Sequence, residues 1–471
     1  MFWNIVRTLQ ERARDLALIP ACLFGFAFAR RWSIWLTGFS LNGFVETSAF
    51  DVIVLVANPV ALLACVVLVG TTGPLLRKGW LIVGSTVALV AGSAFALLPS
   101  PEPLAFAGST LAIAGFGVMF LMWLELYGSL EPRKMVVAYF GSLVVHTLVY
   151  LLMQGFKGEV APGVVLLLPL CSTCCLVAAV LKTGHQAPPP QAESAQDTRH
   201  SGVARRMFLD ASMGRLLAWI TVFGIAFGMG EAVTNLGTSG SASIAGRSAF
   251  ALAMVASALF ATRRFTLAIL YRTAVPLMIC GLAVSFFFNV NPWASQFLMS
   301  AGMEGYQALG LIVCCGIAMR EKASAAGPCG IVFAVEALAI QLGKALMDAF
   351  GNLGLGSATA VGIFAILALV MATMFLFKES DLVSSYSEQA LRTVQEDKRL
   401  ARQLADFAAE HGLTDKEKSV FFLLASGKSS KDIADELYLA SGTVRAHTSK
   451  IYQKLGVHSR AEFDELVKPF A

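Results

Sequence analysis

Two sets of residues have types and spacings suited to chemistry. The first lies between Ser441 and Leu455, where Val444, Thr448, Ile451 and Leu455 fall at i, i+4, i+7 and i+11 and so predict one buried helical stripe. The opposite face carries Gly442, Arg445, Ala446, Ser449 and Gln453, with Lys450 and Lys454 beside it. A short helix with a small-residue waist and flanking bases fits the major groove of duplex DNA. The second set is charge set inside apolar sequence: Arg247, Arg272, Glu304, Glu336, Lys344 and Asp348, with Glu125 and His146 earlier in the chain. Such charges are costly in a spanning segment and need a reason. Lys344 and Asp348, four apart, are expected to pair with each other. Arg272, Glu304 and Glu336 read as deeper, with Tyr271 and Tyr306 close to them in sequence. They would floor a cavity in which Arg247 and Arg272 receive the anionic group of a small molecule. The competing reading is that the same residues form internal ion pairs that hold helices together.

The first set needs a compact scaffold, and Leu413–Val467 supplies one. It predicts four short helices, at about Asp415–Ala425, Ser430–Leu437, Ser441–Leu455 and from Ser459 onward. Thr414 with Glu417, and Ser459 with Glu462, are capping boxes; Ser441 caps the third helix, and Gly427 and Gly456 are stops. Residues Tyr438 to Ala440 give a connection of helix-turn-helix length between the second and third helices.

In this register stand Leu413, Thr414, Glu417, Gly427, Ile433, Ala434, Leu437, Thr443, Val444, His447, Ile451, Lys454, Leu455, Gly456, Val457, Ser459 and Arg460. The pattern resembles the LuxR-type DNA-binding domain. That resemblance implies sequence-specific DNA binding and transcriptional control, as a homodimer reading two half-sites. Carried over by position, it implies that Arg445, Ala446 and Ser449 meet base edges while Lys431, Thr443, Lys450 and Lys454 meet phosphates. Three positions depart from the family's usual residues: Arg445 stands for Lys and strengthens bidentate readout of guanine, Ala440 for Ser, and Lys450 for Asn. The domain's charges nearly cancel, so a lone copy should bind DNA weakly.

The second set needs a membrane. The chain has 471 residues, 56% of them hydrophobic and only 14% charged, with a mean hydropathy of +0.68. That composition predicts a membrane protein rather than a soluble regulator. Apolar segments of spanning length recur about twelve times, near Leu16–Ser40, Phe50–Gly70, Gly79–Leu98, Leu104–Tyr127, Met135–Met153, Pro162–Leu181, Ser212–Glu231, Ala242–Ala261, Phe265–Phe288, Trp293–Met319, Pro328–Phe350 and Leu353–Phe377. Arg30 and Arg31 interrupt the first, so it either tilts them into a watery cavity or ends near Ala29. Arg77 and Lys78, Arg133 and Lys134, the run Lys182–Arg206, Arg263 and Arg264, and Arg320 and Lys322 fall in alternate loops, whereas the other loops hold almost only Lys157. This places both termini in the cytoplasm of a multi-pass plasma-membrane protein. No cleavable signal peptide is expected, because Met1–Arg14 is polar and basic.

The stretch from Lys182 to Arg206, with Pro188, Pro189 and Pro190, reads as a cytoplasmic linker. Six helices, a linker and six more resemble the major facilitator superfamily in layout. In that superfamily a Gly, Asp and Arg/Lys motif follows the second helix. Here Gly70–Gly79 keeps glycines and bases, but no acidic residue occurs between Asp51 and Glu102, so the motif's acidic partner is missing.

The expected fold class is therefore all-α: a polytopic transmembrane bundle of about twelve helices in a 6+6 arrangement, followed by a cytoplasmic four-helix LuxR-type domain. The expected organisation is 1–182 and 212–378 for the membrane halves, 183–211 for the linker, 379–412 for a helical connector and 413–471 for the DNA-binding end. Ser387–Glu410 reads as one amphipathic helix, either a solvated spacer or a dimerising signal helix. Cys171, Cys174 and Cys175 have a C-x-x-C spacing, but they lie in an apolar helix without His or acidic neighbours and read as packing residues. No enzyme constellation, phosphate loop, metal site or cofactor site is expected. These features point to a membrane-anchored one-component regulator whose partners are promoter DNA, the bilayer and an unknown small-molecule ligand. The alternative is a secondary transporter of the same superfamily's kind with a regulatory DNA-binding tail.

Overall fold

A computed structural model describes residues 20–39, 47–97, 101–130, 132–153, 160–183, 211–234, 239–260, 267–288, 291–320, 323–353, 358–375, 407–408, 410–425, 433 and 441–467. The chain divides into two compact units, Met1–Ser385 and Tyr386–Ala471. The predicted linker beyond residue 183, the amphipathic stretch before residue 407 and most of the second short helix, including Lys431, lie outside the described residues.

The first unit is built from helices α1 (Phe26–Phe39), α2 (Thr47–Thr72), α3 (Gly79–Leu97), α4 (Glu102–Gly128), α5 (Pro132–Met153), α6 (Val160–Thr183), α7 (Ala211–Val233), α8 (Ser239–Phe260), α9 (Leu267–Ala283), α10 (Pro292–Arg320), α11 (Ala326–Leu353) and α12 (Ala358–Phe375). Eight of these contain stretches long and apolar enough to cross a membrane, and shorter apolar stretches occupy Val56–Thr72, Arg272–Phe287 and Thr359–Phe375. Helix α1 does not stop at Ala29: it carries Arg30 and Arg31 inside it, both buried.

The pattern of exposure is that of a protein solvated by lipid. On α2 the exposed residues Val56, Val60, Leu63 and Val67 fall at i, i+4, i+7 and i+11, an outward stripe that is wholly apolar. On α3, Trp80, Val83 and Val87 face outward while Ser85, Leu89 and Ser93 face inward. Polar groups are turned in and paired: Trp32 Nε1 donates to Ser93 Oγ at 2.8 Å and Trp123 Nε1 to Ser172 Oγ at 3.0 Å. With the hydrophobic drive between helices absent in lipid, close backbone approach takes its place. A Cβ on Gly228 of α7 would overlap the carbonyl oxygen of Ile340, and one on Gly343 of α11 that of Ile225, so these two helices pack closely through glycine.

Helix α10 is the axis of this unit, with 94% of its spanning stretch buried. It packs against α8 and α9 and touches α4 and α5. Helices α2 with α11, and α5 with α8, join the earlier helices to the later ones. A residue on α10 therefore sits where the two sets meet.

In the second unit, α13 (Asp415–Ala425), α14 (Ser441–Leu455) and α15 (Arg460–Val467) surround a core of Leu413, Val420, Phe421, Leu424, Ile433, Val444, Ile451 and Phe463. The predicted first and third helices coincide with α13 and α14. Each expected capping pair makes one backbone bond: Thr414 N–H donates to Glu417 Oε2 at 2.8 Å, and Glu462 N–H to Ser459 Oγ at 3.2 Å. Gly456 ends α14 with φ +70°, a left-handed value that glycine adopts without strain.

Candidate functional site

Helix α14 buries Val444 and Ile451 completely, and Thr448 and Leu455 partly. That anchoring leaves Thr443, Arg445, Ala446, Ser449 and Lys450 exposed along the outer side. The face is small at its centre, at Ala446 and Ser449, and basic at its edges.

Lys454, expected at a phosphate, also has partners inside the unit. Its Nζ lies 2.7 Å from Glu417 Oε2 and 2.8 Å from the Gly412 carbonyl oxygen. It ties α14 to the start of α13. The Lys454 ammonium, with the Thr414 N–H, holds the Glu417 carboxyl down at about 2. Arg460 also braces the unit: Nη2 donates to the Leu424 carbonyl at 2.7 Å, and its guanidinium lies 5.5 Å from the Phe463 ring. Sequence reasoning placed these residues in a pattern without finding this structural work. An acidic capping residue and a lysine on the far helix were the available signals.

In the first unit the charges gather around Glu304, which is fully buried on α10. Arg30 Nη1 donates to Glu304 Oε1 at 3.0 Å, Tyr139 OH donates to the same oxygen at 2.8 Å, and Arg30 Nη2 donates to Tyr139 OH at 2.7 Å. This closed triangle joins α1, α5 and α10. Arg247 Nη1 of α8 stands 3.7 Å from Glu304 Oε2. Glu336 of α11, also buried, accepts from Gln307 Nε2 at 2.7 Å and lies in the field of Arg247, Glu304 and Arg30. The structure thus brings together Arg247, Glu304 and Glu336 of the expected set.

Arg272 is exposed on α9: its position in sequence gave its height along the helix but not its face. Arg30 and Tyr139, absent from the expected set, are central. Lys344 pairs with Glu231 Oε2 of α7 at 2.9 Å rather than with Asp348, because α7 and α11 pack side by side and bring an acid nearer.

A carboxylate does serve the Gly70–Gly79 loop, from elsewhere in the chain. Glu125 of α4 accepts the backbone N–H groups of Leu75 and Leu76 at 2.9 and 3.2 Å, and Ser324 Oγ donates to it at 2.6 Å just before α11. It joins the loop after α2 to the loop before α11. The cysteines are all free thiols, and among the described residues no group of three His, Cys, Asp or Glu could hold a metal ion.

Comparison with known proteins bears on both units. Residues 411–465 match the family described as GerE, bacterial regulatory proteins, luxR family. The transcriptional regulatory protein DesR of Bacillus subtilis is 42% identical over 91 residues, which are 19% of this chain and 45% of DesR. This chain thus spans less than half of that relative's length. The spore germination protein GerE of the same organism is 44% identical over 57 residues, 12% of this chain and 77% of GerE. For the first unit, a crystal structure of the E. coli fucose:proton symporter FucP superposes with a TM-score of 0.50 at 14% identity, covering 78% of this chain and 99% of that one. That likeness shows a shared fold and nothing of the role. On the strength of its match to GerE across most of that protein, the chain belongs, through residues 411–465, to the luxR family of bacterial regulatory proteins.

Proposed function

We propose that this chain is a membrane-anchored one-component transcription regulator, not an enzyme, in which the first unit senses a small molecule and the second binds promoter DNA. The observation that carries the reading is the presence, in one chain, of a luxR-family unit with an exposed basic helix face and a membrane-type helical unit with a buried charged centre. Arg445, Ala446 and Ser449 would meet base edges in the major groove, with Lys431, Thr443, Lys450 and Lys454 on phosphates. A homodimer would place two such helices on two half-sites. The first unit would span the plasma membrane with twelve helices as six plus six, both termini in the cytoplasm where DNA is reached. A ligand bound near Glu304 would favour one arrangement of the helices, and the stretch 379–412 would pass that shift to the second unit.

The test is DNA binding by the full-length chain in lipid nanodiscs, against genomic fragments that include its own upstream region. Specific, salt-dependent binding that Arg445→Ala abolishes supports the reading. Absence of binding at low salt would sink it. The likeness of fold to FucP favours a second reading, secondary transport. It predicts ion-coupled uptake into vesicles that is lost in Glu304→Gln or Glu336→Gln.

A further inference from the structure

Arg31 is the residue that the cluster around Glu304 leaves unexplained. Its neighbour Arg30 is satisfied by Glu304 and Tyr139. Arg31 is only 4% exposed, and its guanidinium lies 4.7 Å from the ring of Tyr150. Its Nε and Nη1 are buried without a hydrogen-bond partner, and among the described residues it forms no ion pair. His146, one turn before Tyr150 on α5, is 3% exposed, and its Nε2 is likewise buried and unpartnered. His146 stands in the combined field of Arg31, Arg30 and Arg247. Burying a guanidinium without a counter-charge, beside further unpaired donors, is among the costliest arrangements a fold can hold. Placement of that kind at the meeting of two helix sets is the mark of a binding group rather than a packing one.

Resting on the reading that the first unit senses a small molecule, we infer that Arg31 and His146 form its anion-binding pair and that the ligand is a small organic monocarboxylate. Three features fix that class. The available groups are an unpaired cation and an imidazole nitrogen, which a carboxylate satisfies with charge-assisted hydrogen bonds. Arg31 is a single buried cation without a hydrogen-bond partner at Nε and Nη1, so a monoanion matches its charge, whereas a dianion such as phosphate would leave a second buried negative charge uncompensated. The Tyr150 ring under Arg31 and the Tyr139 ring under Arg30 provide an aromatic wall for an organic body. The pair also has a route to the rest of the unit. Arg31 and His146 lie on α1 and α5, the two helices that the Arg30–Tyr139–Glu304 triangle ties to α10. A carboxylate bridging them would tighten the same three-helix joint.

The probe is sodium benzoate, with neutral benzamide as its control at equal ionic strength. The sample is the full-length chain in zwitterionic lipid nanodiscs, as wild type, Arg31→Met and Arg31→Lys. Without benzoate, Arg31→Met melts at or above the wild-type temperature, because an unpaired buried charge has been removed. Benzoate raises the wild-type melting temperature and benzamide does not. Benzoate binds Arg31→Met roughly tenfold more weakly or not at all, and Arg31→Lys retains part of the shift. The inference is overturned if benzamide stabilises as well as benzoate, if Arg31→Met responds like the wild type, or if Arg31→Met melts well below it or fails to fold. A shift produced only by phosphatidylglycerol in the discs, dependent on Arg31, would also overturn it and assign the site to a lipid phosphate. The same samples are tested for DNA binding. DNA bound by chains indifferent to benzoate defeats this inference alone, and benzoate bound at Arg31 by a chain that binds no DNA defeats the regulator reading alone.

Discussion

Replacing Glu304 by Gln tests whether the buried triangle holds the first unit together. Glutamine keeps the volume and one acceptor but removes the charge that faces Arg30 at 3.0 Å and Arg247 at 3.7 Å. Glu304 is fully buried, so the two guanidinium groups lose the carboxylate that pairs with them. Removing one member of such a pair costs about 3–5 kcal/mol. Arg30→Met should cost a similar amount, because Glu304 then keeps only Tyr139 and the distant Arg247. The double variant Arg30→Met/Glu304→Gln removes both charges and should cost far less than the sum of the singles, so a thermodynamic cycle should show coupling of several kcal/mol, above the roughly 0.5–3 usual for residues in contact. The assay is denaturant unfolding of the full-length chain in micelles, followed by fluorescence of the buried Trp32, Trp123 and Trp219. A cost below about 1 kcal/mol for Glu304→Gln, or additive single and double effects, would refute the reasoning and show that the charges are solvated in place.

Arg445→Ala should leave unfolding unchanged, since the side chain is exposed, and weaken specific DNA binding roughly five- to 150-fold in a titration at fixed salt. Lys450→Ala, by contrast, should weaken all sequences alike and reduce the salt dependence by about one charge. Glu417 sits below its ordinary value because of Lys454 and the Thr414 N–H, so the stability it contributes is present above the usual carboxylate range and lost as pH falls from about 4.5 towards 2; Glu417→Gln should flatten unfolding of the second unit across that window. Gly228→Leu should destabilise the first unit by at least about 1–3 kcal/mol, because its side chain would enter the Ile340 backbone. Gly163→Ala, which meets nothing within 4 Å, should leave the melting temperature unchanged.

Local signals in the sequence carried far. The bounds of α13 and α14 follow from capping residues, a stop glycine and a 3.6-residue period, all of which act within a few residues of where they are written. The membrane helices announce themselves by length and apolarity. What depends on which helices become neighbours was not legible. Arg30 and Glu304 are 274 positions apart, and nothing in either segment names the other. Lys344 turned to Glu231 because α7 crosses α11 through glycine contacts. Glu125 supplied the acid that the Gly70–Gly79 loop lacks in its own sequence. Arg272 shows the same limit in reverse: depth along a helix can be counted from sequence, but the face it presents to its neighbours is set by packing.

The most direct test of the central claim is recovery of chromosomal DNA cross-linked to the full-length chain in cells, with membrane fractionation of the same cultures. The account predicts a membrane-bound chain enriched at discrete promoter sites, and loss of that enrichment in Arg445→Ala with membrane localisation intact. A membrane-bound chain with no enriched site, or with enrichment unaffected by Arg445→Ala, would contradict it.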